Sequence, residues 1–123
     1  MADNKKILIV EDEKPMAHAL ELKLNSSGFS AKAVFNGQEA VNTLAKENFD
    51  LILTDLMMPI MDGFALLADL QTKKSAIPVI VATNLGQQGD IDRAKSLGAR
   101  DYFVKSDTPI AEVVGKVRKL LGE

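Results

Sequence analysis

The chain has 123 residues, 46% of them hydrophobic and 26% charged, the proportions of one ordinary globular domain that buries roughly two-thirds of its unfolded surface. With 15 basic and 17 acidic residues the net charge is −2, so no overall field draws the chain towards nucleic acid or anionic lipid. Cysteine is absent, which excludes a disulfide framework, thiolate metal sites and a thiol nucleophile.

In chain order, the first apolar run is ILIV (7–10), followed by the acidic triplet EDE. After Pro15, which suits a first helical turn, Met16, Leu20 and Leu24 mark one helical stripe that ends at NSSG, with Gly28 as a C-terminal cap. The run AKAVF (31–35) alternates apolar and small or polar residues and is placed at a sheet edge; a helix is predicted over QEAVNTLAKE (38–47). Next come LILT (51–54) and a helix over FALLADLQT (64–72), with Asp62 as its N-cap. VIVA (79–82) precedes a helix over DIDRAKSLG (90–98), and YFV (102–104) precedes a helix over PIAEVVGKVRKLLG (109–122), with Gly98 and Gly122 as C-terminal caps. The apolar runs are too short to span a bilayer and the N-terminus has no signal-peptide h-region, which predicts a soluble cytoplasmic protein with neither membrane nor direct nucleic-acid contacts.

Five apolar runs alternating with helix-period segments predict an α/β chain, a (βα)5 doubly wound five-stranded parallel sheet, and one domain over 1–123. The exceptions to apolarity fall at the carboxyl ends of the strands: Glu11 and Asp12, then Asp55, Thr83 and Lys105. Right-handed crossovers with strand order 2-1-3-4-5 bring the ends of strands one and three together at the point where the order reverses, the usual place for a ligand in an open parallel sheet.

Three carboxylates brought together repel one another unless a cation relieves them. Magnesium suits a partial cage of oxygen ligands, and there is no histidine or cysteine here to favour zinc. A carboxylate oxygen of Asp55 can attack phosphorus to give an acyl phosphate, with the metal and Lys105 sharing the phosphoryl charge and the Thr83 hydroxyl donating to a phosphoryl oxygen. The pattern therefore predicts that Asp55 is phosphorylated.

Over residues 5–121 the chain resembles the receiver domains of two-component response regulators, which are CheY-like and flavodoxin-like in fold. LIVEDE resembles the acidic motif after strand one, DLMMPIMDG the phosphoacceptor loop with its D-x-x-M-P-x-x-D-G spacing, and YFVKS the lysine strand. The resemblance implies that Asp55 is the phosphoacceptor, that Glu11, Asp12, Asp55 and the main-chain carbonyl of Met57 hold Mg2+, and that Lys105 pairs with the phosphate. It also implies that Thr83 and Tyr102 form the switch. A sensor histidine kinase or phosphotransfer protein would supply the phosphoryl group. The fourth helix, fifth strand and fifth helix would address an output protein or attached domain, as a monomer or a phosphorylation-dependent homodimer. Such a domain is a signalling switch whose only chemistry is its own phosphorylation and dephosphorylation.

Three positions depart from the family pattern. Ser106 stands where proline usually follows the lysine, so a trans Lys105–Ser106 bond or a strained cis exception is expected, because a non-proline cis bond costs roughly 3 kcal/mol. Asn84 replaces a small residue after the threonine, and Met57 and Leu85 are apolar where the family tunes dephosphorylation.

Among other functions, an aspartate-nucleophile phosphatase requires D-x-D, and Met57 occupies the second aspartate's place. A flavodoxin-like cofactor site needs a phosphate-cradling loop after strand one, where EDE repels phosphate. A receiver-like module that acts without phosphorylation is the alternative within the family. His18 reads as structural or solvated, and Lys116, Arg118 and Lys119 as solvated complements to a helix dipole.

Overall fold

The structure, a computed structural model, describes residues 4–84 and 88–122. Strands β1 (Lys6–Val10), β2 (Ser30–Val34), β3 (Leu51–Asp55), β4 (Val79–Thr83) and β5 (Asp101–Val104) alternate with helices α1 (Lys14–Ser26), α2 (Gly37–Leu44), α3 (Gly63–Thr72), α4 (Gln88–Ser96) and α5 (Ile110–Leu120). The sheet is parallel, in the order β2-β1-β3-β4-β5. Val10 pairs with Thr54 and Asp55 with Ala82, which aligns the carboxyl ends of the three central strands.

The two-residue period of the strands divides the core in two. Ile7, Ile9, Leu51, Leu53, Ile80 and Ala82 pack beneath α1 and α5 with Leu20, Leu24, Val113 and Val117. Leu8, Val10, Ile52, Val79 and Val81 pack beneath α2, α3 and α4 with Ala40, Leu66, Leu67 and Ala94. Every residue of β3 and β4 is buried, so both faces of these strands are apolar up to Thr54, Asp55 and Thr83 at their carboxyl ends, and each large aliphatic contributes about 1.5–3 kcal/mol by leaving water.

β2 is an edge strand, as its alternation predicts, and the edge is covered. The N–H of Ala31 donates to Asn25 Oδ1 (2.9 Å), that of Ala33 to Glu21 Oε2 (2.9 Å), and that of Phe35 to Glu39 Oε1 (2.8 Å). Asn25 also donates its amide to the Ala31 carbonyl at 3.3 Å. Side chains of α1 and α2 thus supply the bonds that a sixth strand would make.

The element boundaries shift by a few residues. α2 stops at Leu44, short of the predicted Glu47, because Glu47 turns away to pair with Lys32 at 2.6 Å and Lys6 at 3.3 Å. α4 begins at Gln88, ahead of Asp90, and β3 runs one residue further, to Asp55. Arg118, expected in water, instead donates through Nη2 to the Ser27 carbonyl at 2.6 Å and lies 5.1 Å from the Phe29 ring centre, tying α5 to the end of α1.

Candidate functional site

The buried polar side chains gather at one edge of the sheet. Glu11 follows β1, Asp55 ends β3 and Thr83 ends β4, and these are 2%, 4% and 6% exposed; the other buried polar residues among those described, Asn36 and Thr54, lie towards the same ends of β2 and β3. Lys105 follows β5 in a short 3-10 turn (Lys105–Asp107) and carries a side chain that is only 5% exposed. Its Nζ donates to Asp55 Oδ2 at 2.8 Å and to Glu11 Oε1 at 2.5 Å, and reaches Glu13 Oε1 at 3.5 Å. The Lys105–Ser106 bond is trans, as expected, since the described residues contain no cis peptide. The lysine reaches the carboxylates nonetheless.

One carboxylate oxygen from each of Glu11, Asp12 and Asp55 lies within 4.8 Å of the others. The remaining hydrogen bonds hold two of these groups still. Asp55 Oδ1 accepts from the N–H groups of Leu56 (2.7 Å) and Met57 (3.4 Å), and Glu11 Oε2 accepts from that of Glu13 (3.1 Å). Burial disfavours the charge on Glu11 and raises its pKa above the usual 4.5, with the nearby Asp55 charge adding to that and Lys105 and the Glu13 N–H opposing it. For Lys105, burial alone would lower the pKa, but the hydrogen bonds to Asp55 and Glu11 outweigh it and raise the pKa above 10.5. The lysine is therefore a fixed cation set against crowded carboxylates, and the cluster carries an excess of negative charge.

Two glycines set the backbone around Asp55. A Cβ on Gly63 would lie 2.3 Å from the Asp55 carbonyl oxygen and 2.8 Å from Leu56 Cα, and the Gly63 N–H donates to the Leu56 carbonyl at 2.9 Å. Only glycine lets α3 start this close to the strand it follows. Asp62 caps that helix as predicted, accepting from the Ala65 N–H at 2.8 Å. Between them the chain makes a tight three-residue turn, in which the Met61 N–H donates to the Pro59 carbonyl at 2.7 Å with Ile60 at φ 70°. A β-branched residue in this left-handed region carries strain of about 1–2 kcal/mol. The turn is pinned from outside, since the Gly37 N–H at the start of α2 donates to the Met61 carbonyl at 2.8 Å, and a Cβ on Gly37 would sit 2.7 Å from that oxygen.

Glu11, Asp12, Asp55 and Lys105 are thus brought together. Thr83 is buried at the adjoining strand end, whereas Asn84 beyond it is exposed. Tyr102 is set apart, half-buried against the core beneath α4, with Lys95 Nζ 5.1 Å from its ring centre. The Met57 side chain points outwards, 69% exposed. Leu85 lies outside the described residues. Sequence reasoning missed Glu13 as a third partner of Lys105, and it missed Gly37, whose only signal was its place directly after Asn36, the residue that caps α2; Gly63 was present as the last residue of DLMMPIMDG, but without its packing role against Asp55.

The model of the response regulator receiver domain matches residues 7–115. The chain belongs to the receiver domain family. A receiver is a module of two-component signalling rather than a conventional enzyme. This receiver is 37% identical over 119 residues to a probable transcriptional regulator, ycf27, of Cyanophora paradoxa, which covers 97% of the chain and 49% of the relative. It spans about half the length of the curated relatives it matches. Among solved structures it superposes on the receiver domain of a signal transduction histidine kinase from Syntrophus aciditrophicus with a TM-score of 0.86 and 37% identity, over 96% of this chain and 90% of that one. It also superposes on the receiver of a sensor histidine kinase from Pseudomonas aeruginosa PAO1, solved with a magnesium ion coordinated in the active-site cleft, with a TM-score of 0.87 and 27% identity, over 98% and 100% of the two chains. No helix among the described residues is long and apolar enough to cross a membrane.

Proposed function

We propose that residues 1–123 form one cytoplasmic receiver domain that accepts a phosphoryl group on Asp55 from a sensor histidine kinase or a phosphotransfer protein. The observation that carries this reading is a buried carboxylate with one oxygen on a fixed lysine, 2.8 Å away, beside two further carboxylates within 4.8 Å. A structural ion pair would need one acid and one base. Here three acids converge on one base at the mouth of the sheet, a charge imbalance that suits a divalent cation, whose charge would in turn accommodate a phosphoryl group.

Glu11, Asp12, Asp55 and the main-chain carbonyl of Met57 would hold Mg2+, a fit supported by an all-oxygen donor set and by the repulsion that the ion would relieve. When bound, the ion neutralises charge on the phosphoryl oxygens. In the reaction, an Asp55 carboxylate oxygen forms a bond to phosphorus as the phosphorus–nitrogen bond of a phosphorylated histidine breaks, and the imidazole keeps the electron pair and takes a proton. Lys105 turns from Asp55 to the new phosphoryl oxygens, and the Thr83 hydroxyl donates to another of them. Movement of Thr83 would free space for Tyr102 to change rotamer. This would bias the α4-β5-α5 face towards an output protein, an attached domain or a second copy of the receiver.

The test is the intact mass of the protein after incubation with acetyl phosphate, with and without Mg2+, beside an Asp55→Asn control. One phosphoryl adduct that needs both Mg2+ and Asp55 supports the reading. No adduct on the wild-type protein, together with no spectral change on titration with beryllofluoride, would leave a receiver-like module that acts without phosphorylation.

A further inference from the structure

We propose that Thr54 is a positioning residue for the acceptor: its buried hydroxyl fixes the Asp55–Leu56 peptide, and through that peptide the direction of the Asp55 carboxylate. The inference rests on Asp55 being the acceptor, and goes beyond it to what holds the acceptor in place.

Packing alone does not account for a hydroxyl at this position. In the row of residues that pair across the sheet, Thr54 lies between Val10 on β1 and Val81 on β4, and beyond Val10 comes Val34 on β2. The alternation of β3 puts the Thr54 side chain on the face of Ile52, against the core beneath α2, α3 and α4 to which all three valines belong. Valine has the branched shape of threonine and would continue the row with a methyl group in place of the oxygen. Thr54 is 0% exposed, and there a hydroxyl costs free energy that a methyl group does not.

The hydrogen bond of Thr54 supplies the reason. Its Oγ1 donates to the main-chain carbonyl of Asp55 at 2.9 Å. That carbonyl and the Leu56 N–H are the two ends of one planar peptide group, and the Leu56 N–H donates to Asp55 Oδ1 at 2.7 Å. The threonine hydroxyl at one end and the acceptor's own carboxylate at the other therefore grip the same rigid plane. Of the two N–H groups on Oδ1, that of Leu56 is the closer, since the Met57 N–H stands at 3.4 Å, so the plane that Thr54 holds is the one that governs the carboxylate. Rotation of that plane swings the N–H off Oδ1 and draws Oδ2 away from Lys105 Nζ, which lies 2.8 Å from it. Gly63 admits the same carbonyl, because a Cβ there would come within 2.3 Å of its oxygen. Glycine makes the room and threonine fixes what occupies it.

The test compares wild type, Thr54→Val, which keeps the shape and loses the donor, and Thr54→Ser, which keeps the donor and loses a methyl group. Both variants melt about 3–6 °C below wild type, one through the lost hydrogen bond and the other through the lost methyl group. Only Thr54→Val is slow: its phosphorylation by acetyl phosphate with Mg2+, followed by intact mass, falls about tenfold, in kcat rather than KM, whereas Thr54→Ser stays within about twofold. In 15N-labelled protein the Leu56 amide resonance moves in Thr54→Val and keeps its place in Thr54→Ser. A Thr54→Val protein phosphorylated as fast as wild type overturns the proposal. Rate losses that match in the two variants, in step with their melting temperatures, mark a residue that only supports the fold and overturn it too. Failure of the wild-type protein to take a phosphoryl group from acetyl phosphate is a distinct result that overturns the acceptor reading itself, and the Leu56 resonance then still decides whether Thr54 holds the peptide.

Discussion

Replacing Gly63 with alanine places a methyl group 2.3 Å from the Asp55 carbonyl oxygen and 2.8 Å from Leu56 Cα. Carbon–oxygen contacts of this kind begin at about 3.3 Å, so the backbone of α3 or of β3 has to retreat by about 1 Å. Both clashing atoms are main chain, and no rotamer change relieves them. Overpacking of this type costs about 1–3 kcal/mol, and the retreat also stretches the 2.9 Å bond from Gly63 to Leu56, worth about 1 kcal/mol. The better helix propensity of alanine returns somewhat under 1 kcal/mol. The net expectation is a loss of about 2–3 kcal/mol in urea unfolding followed by circular dichroism. The same retreat carries Asp55 away from Lys105, and a misplacement of about 1 Å lowers the phosphorylation rate with acetyl phosphate by up to about 100-fold. The control is Gly115→Ala in α5, where the added methyl has nothing within 4 Å; there stability rises by about 0.5–1 kcal/mol. A Gly63→Ala protein as stable as wild type, and phosphorylated as fast, would refute the argument that this glycine sets the acceptor's position.

Three further outcomes are expected. Asp12→Asn removes one of three crowded carboxylates and raises the melting point without Mg2+ by about 1 kcal/mol equivalent, whereas only wild type gains up to about 2.7 kcal/mol at 100-fold excess of Mg2+ over Kd; differential scanning calorimetry with and without the ion reads both. Lys105→Met leaves buried carboxylates unpaired and destabilises by about 3 kcal/mol at neutral pH. The raised pKa of Glu11 means that the folded state holds its proton more tightly than the unfolded state, so its contribution to stability falls as pH climbs from 4.5 through the folded value. The deficit of Lys105→Met should therefore shrink in urea titrations as pH is lowered through that window, and a deficit independent of pH would contradict the charge argument. The double variant Glu21→Ala, Asn25→Ala uncovers the β2 edge and should raise light scattering with concentration while leaving the far-ultraviolet circular dichroism of the dilute protein unchanged.

The sheet was legible in the sequence because strand burial leaves a local trace. ILIV, LILT and VIVA are apolar on both faces and lie in the middle of the sheet, while the alternation of AKAVF marks the edge. Glu11, Asp12, Asp55 and Lys105 could be named for the same reason: each interrupts or ends an apolar run. Contacts between segments distant in sequence leave no such trace. The early end of α2 depends on Glu47 finding Lys6 and Lys32 on neighbouring strands, and Arg118 depends on the carbonyl of Ser27. The turn at Ile60 was hidden for a related reason, because its left-handed backbone is imposed by Gly37 from another element against the preference of isoleucine itself.

The side chains that occupy the β2 edge stitch α1 to the sheet. Asn25 and Glu21 are spaced one helical turn apart, and the N–H groups they meet, on Ala31 and Ala33, are two residues apart on one side of an extended strand, so helix and strand fit like teeth of different pitch that mesh over one short stretch. Sliding α1 by a single residue would break both bonds at once. The helix that follows Glu11 and Asp12 is thus locked in register, and the two carboxylates that precede it leave the sheet from a fixed point.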